Sequence, residues 1–157
     1  MKRRDFVVRI TGLVAVGVTG RRLWAQPSDL ARKPASITIY KSSSCECCVR
    51  WVDHIRASGF TPVVHDEKEM EALKDELGVP QGVRSCHTAI VEKYLIEGHV
   101  PASDIRRLLA ERTKTAGLAV PGMPPRTHGM APPGVEVGGY EVIAFQSDGA
   151  TRIFARH

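Results

Sequence analysis

Apolar residues recur with strand spacing in some segments of this chain and with helical spacing in others. The order of these segments predicts the order of its strands and helices. Six short runs of apolar and β-branched residues have the length and spacing of strands. A Ser-Asp-Gly turn at residues 147–149 separates the last two, which is typical of a hairpin. The predicted strands cover residues 36–40, 60–65, 88–91, 94–96, 140–145 and 151–154.

Three other segments place their apolar residues at helical spacing. Gly59 and Gly78 supply stop signals for the first two helices. Asp66 followed by Glu69 is an acidic variant of the capping box and predicts the start of the second helix. The apolar positions are Trp51, Val52 and Ile55 in residues 48–58, then Met70, Leu73 and Leu77, and finally Ile105, Leu108 and Leu109 in a helix ending near Thr113.

The resulting order, β-α-β-α-β-β-α followed by a hairpin, predicts the fold class. It is the order of a thioredoxin-like α/β sandwich, in which helices cover a central mixed sheet. The last two strands then form a C-terminal β-hairpin extension. In this architecture a Cys-x-x-Cys pair lies where the first strand meets the first helix, and Cys45 and Cys48 have that spacing and position.

The N-terminal segment predicts export by the twin-arginine route. Lys2-Arg3-Arg4 precedes a short uncharged apolar run at residues 10–20, and Ala25 offers a small residue for cleavage. The run is shorter than the roughly 20 residues that span a bilayer, so we predict no membrane span after cleavage. The predicted organisation is a signal at residues 1–25, a linker at 26–35 and one thioredoxin-like domain at 36–157, with the mature protein in the periplasm.

Charge gives no support for a nucleic-acid partner. The whole chain has 22 basic and 17 acidic residues, but its first 25 residues hold six of the bases and one of the acids. The mature chain therefore has 16 of each and no net charge when its histidines are neutral. A basic arm that binds nucleic acid is the alternative for the N-terminus, and its apolar core disfavours that interpretation.

Four cysteines carry the candidate chemistry. Cys45, Cys47 and Cys48 crowd the turn between the first strand and the first helix, and Cys86 lies just before another predicted strand. Thiolates in the first turn of a helix are stabilised by its free N–H groups and its dipole. Soft thiolate ligands favour Cu(I), and they also suit zinc and iron–sulfur clusters. We expect all four sulfurs to meet, and thiolates this closely spaced suit bridges between several Cu(I) ions.

A second set of candidate copper ligands surrounds the cysteines. His87 adjoins Cys86, and His99 lies in a Gly-His-Val-Pro segment. A proline-rich stretch adds the thioethers of Met123 and Met130. Imidazole and thioether donors persist under oxidising conditions that consume free thiols. Trp51 is expected to be a core aromatic that covers the site.

Other interpretations of the cysteines stay open at this point. A thiol–disulfide oxidoreductase would use Cys45 and Cys48 alone, which leaves Cys47 unexplained. Such enzymes usually hold a proline where this chain has Cys86, and this favours metal binding. A structural disulfide is the default in an exported chain, although the adjacent Cys47 and Cys48 cannot bond without strain. Structural zinc sites usually use two Cys-x-x-Cys pairs, and this chain has one.

An ordered series of motifs resembles the exported CopG-type copper-resistance family. The resemblance runs from about Ile37 to Phe154. Two departures from the family pattern are Glu46, where glycine is common, and Arg126-Thr127-His128, where relatives have smaller residues. The motifs are Ser44-Cys45-x-Cys47-Cys48-x-x-Trp51, Ser85-Cys86-His87-Thr88, Glu97-Gly98-His99-Val100-Pro101 and Gly117-Leu118-x-Val120-Pro121-Gly122-Met123-Pro124.

This resemblance implies a function and a ligand set. Members of the family are associated with periplasmic copper tolerance, for which interconversion of Cu(I) and Cu(II) is one route. Other periplasmic copper-handling proteins are the expected partners. The family's polynuclear Cu(I) centre is bridged by cysteines, which here would be Cys45, Cys47, Cys48 and Cys86.

Overall fold

Within residues 34–157, which the computed structural model describes, seven strands form one mixed sheet accompanied by three α-helices. The predicted export signal and nearly all of the predicted linker lie outside the described residues. The strands are β1 (Ser36–Lys41), β2 (Thr61–Asp66), β3 (His87–Val91), β4 (Tyr94–Glu97), β5 (Gly117–Ala119), β6 (Glu141–Phe145) and β7 (Thr151–Arg156). The helices are α1 (Glu46–Ala57), α2 (Met70–Glu76) and α3 (Ala102–Glu111), with a short 3-10 turn at Gln81–Val83.

The sheet has the strand order β2-β1-β3-β4-β5-β6-β7. Strand β1 pairs in parallel with β2 through the crossover helix α1, and β4 pairs in parallel with β5 through α3. The remaining neighbours are antiparallel. This arrangement confirms the predicted thioredoxin-like α/β sandwich with a central mixed sheet and a C-terminal hairpin.

Two hydrophobic clusters lie on opposite faces of the sheet. Successive residues of a strand point to opposite faces, and Leu118 belongs to the larger cluster while its neighbour Ala119 belongs to the smaller. The larger cluster includes Trp51 of α1 and Ile105 of α3, so these two helices share one face. The smaller cluster contains Val79 and residues around the 3-10 turn. The apolar faces that helical spacing predicts for α1 and α3 are therefore buried as expected.

Strand β5 was not predicted, and it determines how the C-terminal hairpin joins the sheet. It has three residues and lies between β4 and β6. A side chain at Gly117 would place its Cβ 2.0 Å from the carbonyl oxygen of Leu95. Glycine is therefore required where β5 approaches β4, and so short a run with a glycine has no clear strand pattern.

The predicted capping box of α2 is wrong. Asp66 belongs to β2 and forms an ion pair with Lys41, and Glu69 is the N-cap residue without a side-chain bond. The carboxylate of Glu67 accepts the backbone N–H groups of Lys68 and Glu69 instead. Among the described residues, no helix is both long and apolar enough to cross a membrane.

Candidate metal centre

Three points of the chain meet at one end of the sheet, and strand register explains why. The antiparallel pairing of β1 with β3 sets Lys41 opposite His87, so the residues that follow β1 lie beside those that precede β3. The pairing of β3 with β4 sets Thr88 opposite Glu97, so the residues after β4 reach the same place. The first turn of α1, the residues before β3 and those after β4 therefore converge.

The four cysteine sulfurs do meet. The Sγ atoms of Cys45, Cys47, Cys48 and Cys86 all lie within 4.8 Å of one another, and we call this group the four-sulfur centre. Cys45 is the N-cap residue of α1, and its Sγ is 3.5 Å from that of Cys47. Cys48 is fully buried, while the other three cysteines are partly exposed. The carboxylate of Glu46 stays exposed on the same turn.

Two of these sulfurs are joined in a disulfide. Cys45 and Cys48 are bonded, with their Cα atoms 5.3 Å apart, because residues three apart at a helix start lie on one face. Cys47 and Cys86 are free thiols. The structure therefore describes the oxidised form of the centre, paired as in the Cys-x-x-Cys alternative. Two electrons and two protons separate it from the form with four thiols.

The Cys86 thiol lies between two buried imidazoles. Its Sγ is 3.4 Å from Nδ1 of His87 and 3.4 Å from Nε2 of His99. Donor atoms of Cys48, Cys86, His87 and His99 form a second group within 4.8 Å of one another. The indole of Trp51 covers this group, with its ring 4.3 Å from that of His87, and it is buried as predicted.

The tautomer of His99 follows from its hydrogen bonds. The Thr127 hydroxyl is buried, and it donates its one hydrogen to the carbonyl of Pro124. It must then accept from Nδ1–H of His99, which lies 3.0 Å away. Nε2 of His99 consequently carries a lone pair, and that lone pair is on the side of Cys86. Ligating histidines are commonly oriented through their second nitrogen in this way.

Burial sets the protonation states at the site. Burial, with smaller contributions from the charges of Arg50 and His128, lowers the pKa of His99 to about 4. Burial, followed by the neighbouring His99 and Lys74, holds the pKa of His87 well below its usual value. Both imidazoles are therefore neutral near pH 7 and able to bind a metal.

The Cys86 thiol has the opposite shift from that expected for a helix-terminal cysteine. Burial, with a smaller contribution from charge on the neighbouring Cys47, raises its pKa to about 12. Cys86 precedes a strand, so it gains nothing from a helix dipole. A metal that binds this sulfur must therefore displace a proton.

A buried ion pair supports the segment that carries Cys86 and His87. Nζ of Lys74 is 2.7 Å from Glu97 Oε2 and donates a 2.8 Å hydrogen bond to the Thr88 hydroxyl, which in turn bonds to Glu97. Oε2 of Glu97 also accepts the backbone N–H of Ser85. This network holds residues on both sides of Cys86–His87. The sequence pattern gave no signal for it, since Lys74 lies in an ordinary amphipathic helix.

The loop at residues 121–130, which we call the methionine loop, is anchored to α1. Arg50 Nε donates to the carbonyl of Gly129, and a Cβ at Gly129 would lie 2.6 Å from the carbonyl oxygen of Cys47. Met123 is exposed and has a left-handed backbone, and Met130 is half-buried beside Gly129. The role of the two thioethers as copper ligands stays a prediction.

Histidines outside the centre have clear structural contacts. Nε2 of His54 accepts the backbone N–H of Ala102 at the start of α3, and its ring stacks on His128 at 3.7 Å. His157 at the chain end bonds to Asp104 and stacks on Tyr140, because the last strand returns the chain end to α3.

Comparisons with known proteins agree with this geometry. The family model described as a protein of unknown function, DUF411, matches residues 83–130, which include Cys86, both buried imidazoles and the methionine loop. Two solved structures of a copper resistance protein, copG Form 1 and copG Form 2, are similar to the chain. No curated protein matches it.

Both likenesses to the solved structures extend over nearly the whole described domain. Each has 38% sequence identity, covers 79% of this chain and 98% of the other, and has a TM-score of 0.72. Sequence identity at this level, over almost all of the other chain, indicates common family membership and not a shared fold alone. The chain belongs to the CopG-type copper-resistance family.

Proposed function

We propose that this protein binds copper in the periplasm and contributes to copper resistance, holding more than one Cu(I) ion in a cysteine-bridged centre. The observation that carries the proposal is the convergence of four sulfur atoms within 4.8 Å of one another. Soft thiolates are the protein ligands that Cu(I) prefers. The copper-resistance relatives support this choice of metal over zinc.

The number of donors favours a polynuclear centre. A single tetrahedral ion takes four ligands, whereas six donor side chains occupy the two overlapping groups at this site. The groups share Cys48 and Cys86, so these sulfurs are placed to bridge. The expected ligands are Cys45, Cys47, Cys48, Cys86, His87 and His99, with Met123 and Met130 supplied by the methionine loop.

The disulfide supports a redox role for the same centre. Oxidation of the Cys45 and Cys48 thiolates to their disulfide releases two electrons, which can reduce two Cu(II) ions to Cu(I). The reverse step returns two thiolates and two Cu(II) ions. Interconversion of Cu(I) and Cu(II) is therefore part of the proposal, with other periplasmic copper-handling proteins as the sources and recipients of the ions.

The substitution Cys47→Ser tests the proposal. Cys47 is outside the disulfide yet 3.5 Å from Cys45 Sγ, so a bridged centre needs it and a dithiol enzyme does not. In the reduced protein we expect Cys47→Ser to lower Cu(I) stoichiometry or affinity about as much as Cys86→Ser, as measured by titration against a Cu(I) chelator. Val49→Ser is the matched control, because Val49 is exposed on the same helix.

A second candidate function is thiol–disulfide exchange, and the observed Cys45–Cys48 bond is what favours it. That function would survive Cys47→Ser. Wild-type copper binding in this variant, together with disulfide reductase activity that disappears only when Cys45 or Cys48 is replaced, would establish the enzyme and reject the bridged copper centre.

A further inference from the structure

Disulfide formation removes some copper donors from the centre but leaves others in place. The sulfurs of Cys45 and Cys48 are joined in the disulfide and are no longer thiolates. Cys86 remains a free thiol, and His87 and His99 remain beside it. One sulfur and two imidazoles therefore stay together in the oxidised chain.

The two sulfur–nitrogen distances at Cys86 are close to those around one metal ion. First-row metals bind thiolate at about 2.3 Å and imidazole at about 2.0 Å, so a shared ion places sulfur and nitrogen about 3.5–3.7 Å apart at tetrahedral to trigonal angles. Both sulfur–nitrogen distances at Cys86 are 3.4 Å, and the donor nitrogens of His87 and His99 lie within 4.8 Å of each other. Each imidazole is therefore placed to share an ion with the Cys86 sulfur.

The two imidazoles are prepared for such binding in different ways. Thr127 fixes the tautomer of His99 and leaves Nε2 with its lone pair toward Cys86. His87 is fully buried, and its Nε2 has no hydrogen-bond partner among residues 34–157. The ring nitrogen that faces Cys86 is Nδ1, and the polar contact found for it is with the Cys86 sulfur. Among the described residues, no other hydrogen bond therefore competes with a metal for this nitrogen.

We propose that the disulfide-bonded chain retains a separate mononuclear Cu(I) site formed by Cys86, His87 and His99. The copper identity rests on the function proposed above, whereas the site itself rests on the three donors. Oxidation of the centre would then reduce its copper content to one ion without emptying it.

A competing pair of donors must be distinguished from this site. Cys47 and Cys86 are both free, and their sulfurs also lie within 4.8 Å of each other. A linear dithiolate site would need Cys47 and neither histidine. The proposed site needs the histidines and not Cys47.

The test is a Cu(I) titration of the full mature protein in its disulfide form, without oxygen or reductant, with Cu(I) supplied as its acetonitrile complex. We expect one tightly bound ion per chain, and more than one after reduction of the same sample. X-ray absorption at the copper edge should show one sulfur and two imidazoles. A thiol count after the titration verifies that the disulfide is intact.

Variants separate the possible ligands. In the disulfide form, His99→Gln should weaken Cu(I) binding at least tenfold, while Cys47→Ser and the exposed-site control His65→Gln should leave it unchanged. Absorption data on the unmodified chain need no variant, so they decide the case even if His99→Gln unfolds.

Three results would overturn the inference: no Cu(I) bound by the disulfide form, an all-sulfur copper environment, or loss of binding in Cys47→Ser. Binding of several ions by the reduced protein together with none by the disulfide form would reject this site and leave the proposed function standing. Failure of the reduced protein to bind copper would reject the proposed function itself.

Discussion

At the scale of single residues, the orientation of His99 depends on a threonine. The Thr127 hydroxyl links the imidazole to the carbonyl of Pro124. Because the hydroxyl has one hydrogen to give, these two bonds determine which ring nitrogen faces Cys86. Thr127 thus orients a histidine of the candidate site.

Thr127→Val should weaken Cu(I) binding by the reduced protein about 10- to 100-fold, the usual effect of removing a residue that orients a metal ligand. The shape of the side chain is nearly unchanged, and the loss of its two hydrogen bonds should cost about 1–3 kcal/mol of stability. Chelator competition and thermal unfolding measure the two effects, and the exposed Thr61→Val is the control. A destabilised variant with wild-type copper affinity would show that Thr127 has a structural role alone.

Met123 and Met130 provide a second prediction at this scale. We expect the methionine loop to act as a lid that delivers thioethers to copper, since Gly129 lies against the cysteine turn. Replacing both methionines with leucine keeps apolar volume and removes the donors. Copper transfer to a chelator or copper tolerance should fall, with little change in thermal stability. Unchanged copper handling with a large loss of stability would identify both methionines as packing residues.

At the scale of elements, helix α2 contributes to the centre through one buried cation. Lys74 reaches across to Glu97 and Thr88 at the paired ends of β3 and β4. Burial raises the pKa of Glu97, and the opposing effect of Lys74 is smaller. The charged form of Glu97 is therefore stabilised by Lys74, and Glu97 in turn holds the segment that carries Cys86 through the backbone N–H of Ser85.

Lys74→Met should destabilise the protein by about 3–5 kcal/mol, because it leaves a buried carboxylate without its partner. Lys74→Met with Glu97→Leu should recover part of that loss, since the unpaired charge is gone. Lys41→Met is the matched control, and its partner Asp66 is exposed, so the expected cost is about 1 kcal/mol or less. Chemical denaturation measures all three. Equal losses of stability in Lys74→Met and Lys41→Met would mean that burial of the Lys74–Glu97 pair does not increase the cost of breaking it.

At the scale of the whole molecule, the four-sulfur centre belongs to a domain that is predicted to leave the cytoplasm. The predicted signal at residues 1–25 carries the excess positive charge, and the remaining chain has equal numbers of acids and bases. Twin-arginine export accepts folded proteins, so a copper centre could be assembled before or after transport. The location of the protein therefore determines which copper pool it meets.

Lysine in place of both Arg3 and Arg4 should block export, because the twin-arginine route requires the arginine pair while general secretion needs positive charge alone. Cell fractionation with an antibody to the domain measures the distribution. Single Arg3→Lys is a useful comparison, with a milder defect expected. Normal periplasmic levels of the double variant would point to an ordinary secretory signal.

Much of the fold could be predicted because its signals are local. Helical spacing located all three helices, glycine stops marked the ends of α1 and α2, and strand patterns located the hairpins and the central strands. The convergence of Cys86 with the other cysteines was also predicted, since a thioredoxin-like order brings the start of β3 beside the end of β1. Strand β5 escaped prediction because three residues carry too little periodicity.

The sequence by itself determined the order of elements, the identities of the donor residues and the crowding of three cysteines at a helix start, since these depend on neighbours along the chain. Tertiary structure alone decided which cysteines bond, which nitrogen of His99 faces Cys86, and how Lys74 supports the site. Thr127 is 28 positions from His99 and Lys74 is 23 from Glu97. Contacts across such separations follow from strand register and helix packing, which local patterns do not encode.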